Sequence, residues 1–457
     1  MARDHEWEVL CREYQILERI EQDGYFRITA DQIHAYYEPR TIVKFDASSQ
    51  LPEIFRQHHL AILPDTRGSY VIAPMAVYHT LEAIDEYEIE DIPWQHAFSS
   101  IPDIHQVASE AVLLNMAEIS GMLRAFTGEE HLYETLNGRM GTLAFDFRIN
   151  LGNDGGETFT FHVDRSQMEI DGSYEGDTSY TIIEAKAHFQ PNFIVRQLYY
   201  PYRNAYELGM GHPGEKTIRP VFMSYYNQVF HFWEYTFEDP ENYSSIRLVR
   251  NKNYSLDDTR IYLGDVERAL RQTHVEPEPD LPFVQADSME RVINLVEYLA
   301  DNEEDQHALT GRQIGDMYEI VQRQGEYYGN AGCYLGLLHR NRDSQQHPAF
   351  VYTLSEDGHQ FWGYPYRLRM LELLHRLFQH RVFHDAVDRM LVQRHDGIIT
   401  IPPVNEVTAR MRDAGIDLAS ERRRAQTVQS WLYYIFSRCQ DIHVMGYHPS
   451  ARRYHPR

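Results

Sequence analysis

Two short segments of this 457-residue chain carry the residue types of a hydrolytic metal site. Residues 167–171 read QMEID and end in Asp171, and residues 181–187 read TIIEAKA and contain Glu184 and Lys186. Carboxylate oxygens are hard ligands that hold magnesium, and a compact ammonium fits beside a metal-bound water. Two carboxylates and one ammonium at one point provide what metal-assisted phosphodiester cleavage requires.

Both segments alternate in the manner of β-strands, so side chains two residues apart share one face. Asp171 lies on the polar face of the first strand, and Glu184 and Lys186 share a face of the second. The residues between the two runs, 172–177, include two glycines and an aspartate, which favour turns. We therefore predict a hairpin that places Asp171, at the end of one strand, beside Glu184 and Lys186.

In these residues the sequence resembles the PD-(D/E)xK nuclease superfamily. Asp171 matches the aspartate of that motif, with Ile170 where the motif name has proline, and Glu184-Ala185-Lys186 matches its (D/E)xK tripeptide. The resemblance implies that Asp171, Glu184 and the carbonyl of Ala185 ligate Mg²⁺, for which Mn²⁺ can substitute. It also implies that Lys186 orients and activates the attacking water.

The resemblance implies further residues around that site. Gln197, on the helix expected after the hairpin, would position a backbone phosphate or the lysine. A glutamate on the first helix of the core sometimes completes the metal site, and Glu110 and Glu118 are the candidates. The superfamily's usual products carry a 5′-phosphate and a 3′-hydroxyl. The alternative is an amphipathic hairpin that exposes a glutamate and a lysine without catalysing a reaction.

Lysine is scarce in this chain, which makes the lysine at position 186 informative. Of 43 lysines and arginines, the lysines stand only at positions 44, 186, 216 and 252. Because arginine supplies positive charge at most other sites, a lysine here indicates a place that requires a compact ammonium group.

The net charge of −25, taken over the whole chain, argues against a DNA partner, because phosphate binding relies on lysine and arginine. The charge is unevenly distributed, however. Residues 409–457 contain more arginine than acid, including Arg422, Arg423 and Arg424, whereas residues 82–91 are acidic. An excess of acid with very little lysine is also typical of adaptation to high salt, where self-repulsion is screened.

The composition indicates neither a membrane protein nor a secreted one. No apolar run is long enough to span a bilayer, and the charged start MARDHEWEVL does not have the pattern of a secretory signal. Cys11, Cys333 and Cys439 are scattered, so neither a disulfide framework nor a zinc site is expected. We expect a cytoplasmic protein that has no membrane partner.

Residues 101–276 carry the element order of the superfamily's core. The pattern predicts a helix over residues 104–126, strands near 142–150, 158–163, 167–171 and 179–187, a helix from Pro191 that bends or ends at Pro201, and a strand over 219–225. Apart from one additional strand before the second helix, this is an α-β-β-β-α-β order, which predicts a restriction-endonuclease-like α/β core with a mixed central sheet.

Residues 1–100 are expected to form a separate N-terminal module. Apolar residues recur at helical spacing from Trp7 to Ile20, a second helix follows a cap at Thr29, and a third begins at Leu51. Two short strands surround the turn at residues 65–68. Three helices followed by a hairpin are typical of a winged helix, and an α+β cap packed on the nuclease core is the alternative.

Residues 277–282, PEPDLP, are predicted to be a linker. A winged-helix domain is expected over residues 283–362, with its third helix over 325–340 in the major groove and a wing at 350–358. Arginine pairs with guanine and glutamine with adenine in that groove. The residues that would contact bases are Gln322, Arg323, Gln324, Tyr327 and Tyr328. The alternative is that they solvate a surface helix.

Residues 363–457 are predicted to be helical, and their last helix resembles that of a second winged-helix domain. Arg422, Arg423 and Arg424 lie near the start of this amphipathic helix. A basic helix of this kind would track phosphates or pair with the protein's own acidic surface.

The segment 209–217 nearly spells a phosphate-binding loop. Glu215, however, separates Gly214 from Lys216, and the motif requires lysine directly after its second glycine. We therefore predict that the protein does not use ATP.

Together these features predict a multidomain α+β protein that resembles a type II restriction endonuclease. Such an enzyme is a Mg²⁺-dependent, sequence-specific endonuclease of double-stranded DNA, expected here as a homodimer. A repair or modification-dependent nuclease with the same site is one alternative. A DNA-binding protein with a decayed site is another, which the intact Asp171, Glu184 and Lys186 disfavour. A neighbouring methyltransferase gene would favour restriction over modification dependence.

Overall fold

The computed structural model describes residues 3–82, 88–95, 98, 100–101, 109–152, 156–302, 308–342, 350–416 and 420–447. The chain forms two compact units. The first comprises Met1–Ile84, Ala97–Tyr225 and Phe230–Tyr254, and the second comprises Asp85–His96, Tyr226–Val229 and Ser255–Arg457. The multidomain α+β class expected from the sequence is confirmed.

The N-terminal module within the first unit is built from short helices and strands. They are α1 (Asp4–Tyr14), α2 (Ile16–Asp23), β1 (Phe26–Thr29), α3 (Ala30–His34), α4 (Pro39–Ile42), α5 (Glu53–Gln57), β2 (Ala61–Thr66) and β3 (Ser69–Ala73). The strands pair antiparallel in the order β1-β3-β2. Thr29 begins α3 in a capping box with Gln32, as its sequence predicts. The first predicted helix is instead two helices, because Gln15 adopts a φ of 52° and ends α1.

The elements that follow in chain order belong mostly to the central sheet and its covering helices. They are β4 (Tyr78–Thr80), β5 (Ile89–Asp91), α6 (Glu110–Ile119), α7 (Met122–Thr127), β6 (Leu132–Gly141), β7 (Phe145–Leu151), β8 (Glu157–Val163), β9 (Gln167–Gly176), β10 (Ser179–Lys186), β11 (Asn192–Ile194), α8 (Arg196–Glu207), β12 (Thr217–Tyr226), β13 (Val229–Phe237) and β14 (Ile246–Ser255).

Within the first unit the central sheet has the strand order β14-β13-β12-β10-β9-β6. β6, β9 and β10 form an antiparallel series, whereas β10 and β12 run parallel and are joined through α8. β7 and β8 pair only with each other as a separate antiparallel hairpin among the named strands. Every residue of β10 is buried, as expected for a strand at the centre of a covered sheet.

The predicted hairpin of β9 and β10 is present, but its turn is shorter than expected. β9 continues through Gly172, so that the turn consists of residues 177–178. Gly172 pairs with Ile183 in the ladder, and a Cβ at this position would lie 3.1 Å from the ring of Tyr174. The expectation that Gly172 belongs to the turn is therefore wrong, because the glycine serves close packing within the strand.

Two helix predictions in this unit are also corrected. The helix expected over residues 104–126 is divided at Gly121, where φ is 83°, and its part at 104–108 lies outside the described residues. The helix expected from Pro191 starts instead at Arg196, because the residues after Pro191 form β11 and pair with β4. Pro201 does not end this helix, since a proline removes only its own N–H from the helical bonds.

The second unit is mainly helical. Its elements after β14 are α9 (Leu263–Gln272), α10 (Met289–Asp301), β15 (Leu309–Thr310), α11 (Gly311–Tyr318), α12 (Gln322–Tyr334), β16 (Leu338–Arg342), β17 (Phe350–Leu354), α13 (Glu356–Trp362), α14 (Tyr366–Phe378), α15 (Arg381–Gln393), β18 (Ile398–Thr400), α16 (Val404–Asp413), α17 (Glu421–Phe436) and β19 (His443–Met445). β15, β17 and β16 form a small antiparallel sheet in that order, and β18 pairs with β19.

Three local predictions in this unit are wrong. Arg340, expected in a helix, lies in β16, because the αL residue Gly336 follows α12 and turns the chain. Gly358, expected in the wing, lies in α13, which is capped by the hydroxyl of Ser355. The segment 277–282 is not a free linker, because Glu278 accepts hydrogen bonds from Tyr334 (2.8 Å) and His380 (3.1 Å).

α11 and α12 approach each other closely because glycines face one another. A Cβ at Gly325 would overlap the carbonyl oxygen of Gly311, and a Cβ at Gly315 would lie 2.7 Å from the carbonyl oxygen of Ile320. The backbones of the two helices are therefore in direct contact. In the described part of the chain, no helix is long and apolar enough to cross a membrane.

The carboxylate of Glu129, which follows α7, fixes the turn between β9 and β10. It accepts hydrogen bonds from the backbone N–H groups of Asp177 (3.1 Å) and Thr178 (3.2 Å) and from the hydroxyls of Thr178 and Ser179 (both 2.7 Å). Burial raises the pKa of this carboxyl, but the hydrogen bonds outweigh burial and hold the pKa below its ordinary value. The turn is therefore anchored by a charged acceptor.

We predict that Glu129→Gln lowers the free energy of unfolding by about 1–3 kcal/mol, because an amide NH₂ then faces buried donors. The wild-type carboxylate has a lowered folded-state pKa, so its contribution is present above the unfolded value near 4.5 and is lost as pH falls through the folded value. Chemical denaturation at neutral and at acidic pH measures both effects. The control is Glu130→Gln, an exposed neighbour; equal losses in the two variants would contradict this role.

Candidate active site

Asp171 and Glu184 lie at adjacent positions on the paired strands β9 and β10. The ladder reaches the pair Gly172–Ile183, and one residue further each strand carries one of the two acids. The backbone N–H of Ala185 donates a hydrogen bond of 2.9 Å to Asp171 Oδ2. This contact fixes the aspartate against β10, so the strand pairing brings the predicted carboxylates together.

Lys186 is buried and surrounded by oxygen atoms. Its Nζ lies 2.5 Å from Glu184 Oε1, 3.1 Å from the carbonyl oxygen of Ala185 and 3.4 Å from Glu110 Oε1. Glu110 is the first residue of α6, whose N-cap hydroxyl belongs to the preceding serine. The structure thus brings Glu110 to the predicted site, whereas Glu118 has Glu134 and Arg124 as its charged neighbours.

Gln197 lies in the first turn of α8, directly beside Glu184. Its Nε2 donates a hydrogen bond to Glu184 Oε1, the same oxygen that contacts Lys186. Its Oε1 is buried and has no hydrogen-bond partner within the described residues. Gln197 therefore lies next to the predicted acids, and its side-chain oxygen is a buried acceptor without a hydrogen-bond partner among the described residues.

The electrostatics of the site are dominated by Lys186 and its acids. Burial alone would lower the pKa of Lys186, but Glu184, Glu110 and Asp171 together raise it above its ordinary value. Burial raises the pKa of Glu184, and the charge of Lys186 opposes that rise. A raised carboxyl pKa favours the neutral acid, whereas the 2.5 Å contact with an ammonium favours an ion pair. We take the ion pair as the state of these two residues because of that contact.

The oxygen donors that would hold a divalent metal are Asp171, Glu184 and the carbonyl of Ala185. Hard oxygen ligands fit Mg²⁺, and the unused buried oxygen of Gln197 adds an acceptor nearby. The ammonium of Lys186 contacts two of these donors, so a bound cation would compete with it for the same atoms. Within the described residues, no three His, Cys, Asp or Glu side chains are grouped as a metal site.

Two residues beside the site were not expected there from the sequence. Lys44 and Asp46, which are 3.4 Å apart, come from the N-terminal module. The charge of Lys44 lowers the pKa of Glu110, and that of Asp46 raises the pKa of Glu184, so both act on the site. Lysine scarcity was the one available signal, since Lys44 is among the four lysines of the chain.

The residues predicted to contact DNA bases differ in exposure. Gln322 and Arg323 are exposed in the first turn of α12, whereas Gln324 and Tyr327 are half-buried. The Arg323 guanidinium lies 5.9 Å from the centre of the Tyr327 ring. Tyr328 is buried, and its ring packs 5.5 Å from that of Tyr318. We therefore place Tyr328 in the core of the unit and not on the predicted DNA-facing surface.

The three consecutive arginines begin α17, as the sequence predicts. Arg422 and Arg423 are exposed, whereas Arg424 is half-buried and donates a hydrogen bond of 3.0 Å to the carbonyl oxygen of Phe283. Burial lowers the pKa of Arg424, and the hydroxyl of Tyr327 opposes the shift. Arg424 thus has a structural contact with the segment that precedes α10.

The chain matches three families in series. Domain of unknown function (DUF6996) matches residues 4–72, Domain of unknown function (DUF6997) matches residues 73–255, and Domain of unknown function (DUF7226) matches residues 291–440. The acids and Lys186 lie in the second match, and the start of α12 lies in the third. No curated protein and no solved structure matches the chain.

We predict that Glu110→Gln weakens Mn²⁺ binding by about 10–100-fold, because Glu110 pairs with Lys186, which contacts two of the proposed metal donors, and outer partners of a metal site usually have effects of this size. Glu118→Gln, on the same helix but with other neighbours, is the matched control and should bind Mn²⁺ as the wild type does. Isothermal titration calorimetry measures both affinities without requiring catalysis. Equal affinities in the two variants would remove Glu110 from the site.

Proposed function

We propose that the protein is a Mg²⁺-dependent, sequence-specific endonuclease of double-stranded DNA. The observation that carries this proposal is the meeting of Asp171, in the middle of β9, with Glu184 and Lys186 at the end of β10. A surface hairpin would expose the glutamate and the lysine to solvent. Here both are buried and contact each other, which favours a functional site over that alternative.

The order of elements around the site supports the same proposal. α6, β6, β9, β10, α8 and β12 follow one another in the order α-β-β-β-α-β, with α7 inserted before β6, β7 and β8 before β9, and β11 before α8. The antiparallel series and the parallel pair of β10 with β12 agree with the core expected for a PD-(D/E)xK nuclease. In this proposal Asp171, Glu184 and Gln197 have the roles that the resemblance implies.

The residues of the site have distinct roles in this proposal. Asp171, Glu184 and the Ala185 carbonyl would hold Mg²⁺, which would supply an activated water and offset negative charge on the phosphate. The Lys186 ammonium orients that water and donates hydrogen bonds to developing charge. Gln197 holds the Glu184 carboxylate by its hydrogen bond and fixes its direction. Glu110 forms an ion pair with Lys186 and, together with Glu184, helps to keep the ammonium group protonated.

The second unit supports a role for α12 in DNA recognition. α10, β15, α11, α12, β16 and β17 occur in the order of a winged helix, and the three strands form one small sheet. In that arrangement the third helix enters the major groove with its first turn. Arg323 is exposed on the first turn of α12. An arginine side chain at this position can donate two hydrogen bonds to the edge of a guanine base. We propose that this turn reads the DNA sequence.

We predict that Asp171→Ala, Glu184→Ala and Lys186→Ala each reduce DNA cleavage by orders of magnitude, since each removes a component that the others cannot replace. Plasmid digestion with Mg²⁺ or Mn²⁺ measures the effect. Lys216→Ala is the matched control, because Lys216 pairs with Glu175 on the same sheet and lies away from the acids.

Near-wild-type cleavage by Lys186→Ala would sink the active-site assignment, and cleavage in excess chelator would rule out the metal requirement. Strict dependence on ATP would contradict the prediction from the interrupted phosphate-loop motif. Because Lys186 is buried, the thermal melting of each variant is measured alongside, so that loss of folding is separated from loss of catalysis.

We predict that Arg323→Ala reduces the discrimination between cognate and random DNA by about 1–3 kcal/mol per base contact. Arg422→Ala and Arg423→Ala should instead weaken binding to all sequences alike and flatten its salt dependence, as expected for phosphate contacts. Binding titrations on cognate and random duplexes at two salt concentrations measure both effects. If Arg323→Ala leaves the ratio of affinities for cognate and random DNA unchanged, α12 does not recognise the DNA sequence.

A further inference from the structure

A basic cleft opens in the first unit beside the candidate active site. Its floor includes the start of β9, and its walls include residues 40–46 and the turn between β2 and β3. This part has a volume of about 210 Å³. An adjoining part of about 840 Å³ shares Arg40, Arg67 and Arg139 with it. The two parts form one continuous groove on the protein surface.

The charge of this cleft is opposite in sign to that of the chain. Five of its sixteen lining residues are basic and two are acidic, whereas the chain carries a net charge of −25. The basic residues are Arg40, Lys44, Arg67, Arg139 and Arg196. Lys44 pairs with Asp46 (3.4 Å) and Arg139 with Glu169 (3.1 Å). Among the described residues, no acidic side chain forms an ion pair with Arg40, Arg67 or Arg196.

The N-terminal wall of the cleft is held firmly against the nuclease core. Ser48 N–H donates to Asn192 Oδ1, and Asn192 Nδ2 donates to Ser48 Oγ, both at 2.9 Å. The N–H of Ile194 donates a bond of 2.9 Å to the carbonyl oxygen of Asp46. These bonds attach the wall to β11, two residues before α8 begins. The cleft is therefore a preformed feature of the first unit.

The cleft lies along β9, the strand that carries the predicted catalytic residue Asp171. Gln167 and Glu169 line it and lie on the same face of β9 as Asp171. At about 3.4 Å per residue, this row extends over roughly 14 Å, from the cleft to the site. On the opposite wall, Lys44 and Asp46 act electrostatically on Glu110 and Glu184. The basic residues and the acids thus share one face of β9 and the same segment of the N-terminal module.

We propose that this cleft binds the phosphodiester backbone of the DNA strand that enters the active site, with Arg40 and Arg67 contacting phosphates. The inference rests on the proposed nuclease function and extends it by assigning a backbone-binding surface to the N-terminal module. B-DNA carries one phosphate per 3.4 Å of helix axis on each strand, so the length of the row from Gln167 to Asp171 corresponds to about four phosphates measured along that axis. The exposed guanidinium groups on the facing wall supply the charge that this backbone requires.

The test compares two double variants with the same change of charge. Arg40→Ala/Arg67→Ala removes two exposed arginines from the cleft, and Arg12→Ala/Arg19→Ala removes two exposed arginines of the same module that do not line it. Fluorescence anisotropy with a labelled DNA duplex, without divalent metal, gives the dissociation constant over a range of salt concentrations. Thermal melting verifies that both variants are folded.

We expect the cleft variant to bind unrelated duplexes more weakly than the wild type does. The slope of log affinity against log salt should be reduced by about 0.9 for each phosphate that the variant no longer neutralises. The control variant should retain the wild-type slope. Equal slopes in the two variants, or no binding of DNA by the wild type, would overturn the proposal.

The same measurements separate this proposal from the nuclease proposal. A protein that binds DNA through the cleft but never cleaves it, under any metal, leaves the cleft assignment in place and removes the nuclease. A protein that cleaves DNA while the cleft variant binds and cleaves like the wild type removes the cleft assignment and leaves the nuclease.

Discussion

The antiparallel pairing of β9 with β10 is the constraint on which the site depends. Register fixes which side chains share a face, and a slip of one residue would turn Asp171 away from Glu184. Glu129 closes the turn at one end of the hairpin, and the hydrogen bond from Ala185 to Asp171 secures the other. The parallel strand β12 pairs with the other edge of β10, and the helix α8, which leads into β12, brings Gln197 to Glu184.

The acids and the lysine could be predicted from sequence because strand alternation is a local property. Asp171, Glu184 and Lys186 lie within one hairpin, and their faces follow from residue parity alone. Lys44 and Asp46 could not be placed there, since their position depends on how the N-terminal module docks on β11. The choice of Glu110 over Glu118 likewise required the position of α6 relative to β10.

The errors in the fold have similar causes. β6 was missed because its residues are mostly exposed and show no alternation, so that only its pairing with β9 defines it. The strand β11 after Pro191 is defined by β4, more than a hundred positions earlier in the chain. The segment around Glu278 has the composition of a linker, yet Tyr334 and His380 hold it by tertiary hydrogen bonds. Composition cannot report such contacts.

The contact between α11 and α12 at Gly311 and Gly325 limits how recognition by this protein could diversify. Because the two backbones touch, α12 has no room to slide or rotate on its support, and any larger residue at either glycine would push the helices apart. If α12 reads DNA as proposed, descendants with new target sequences would arise by exchanging side chains at Gln322 and Arg323. Gly311 and Gly325 would remain unchanged, because they hold α12 on α11 while the exposed side chains of α12 vary.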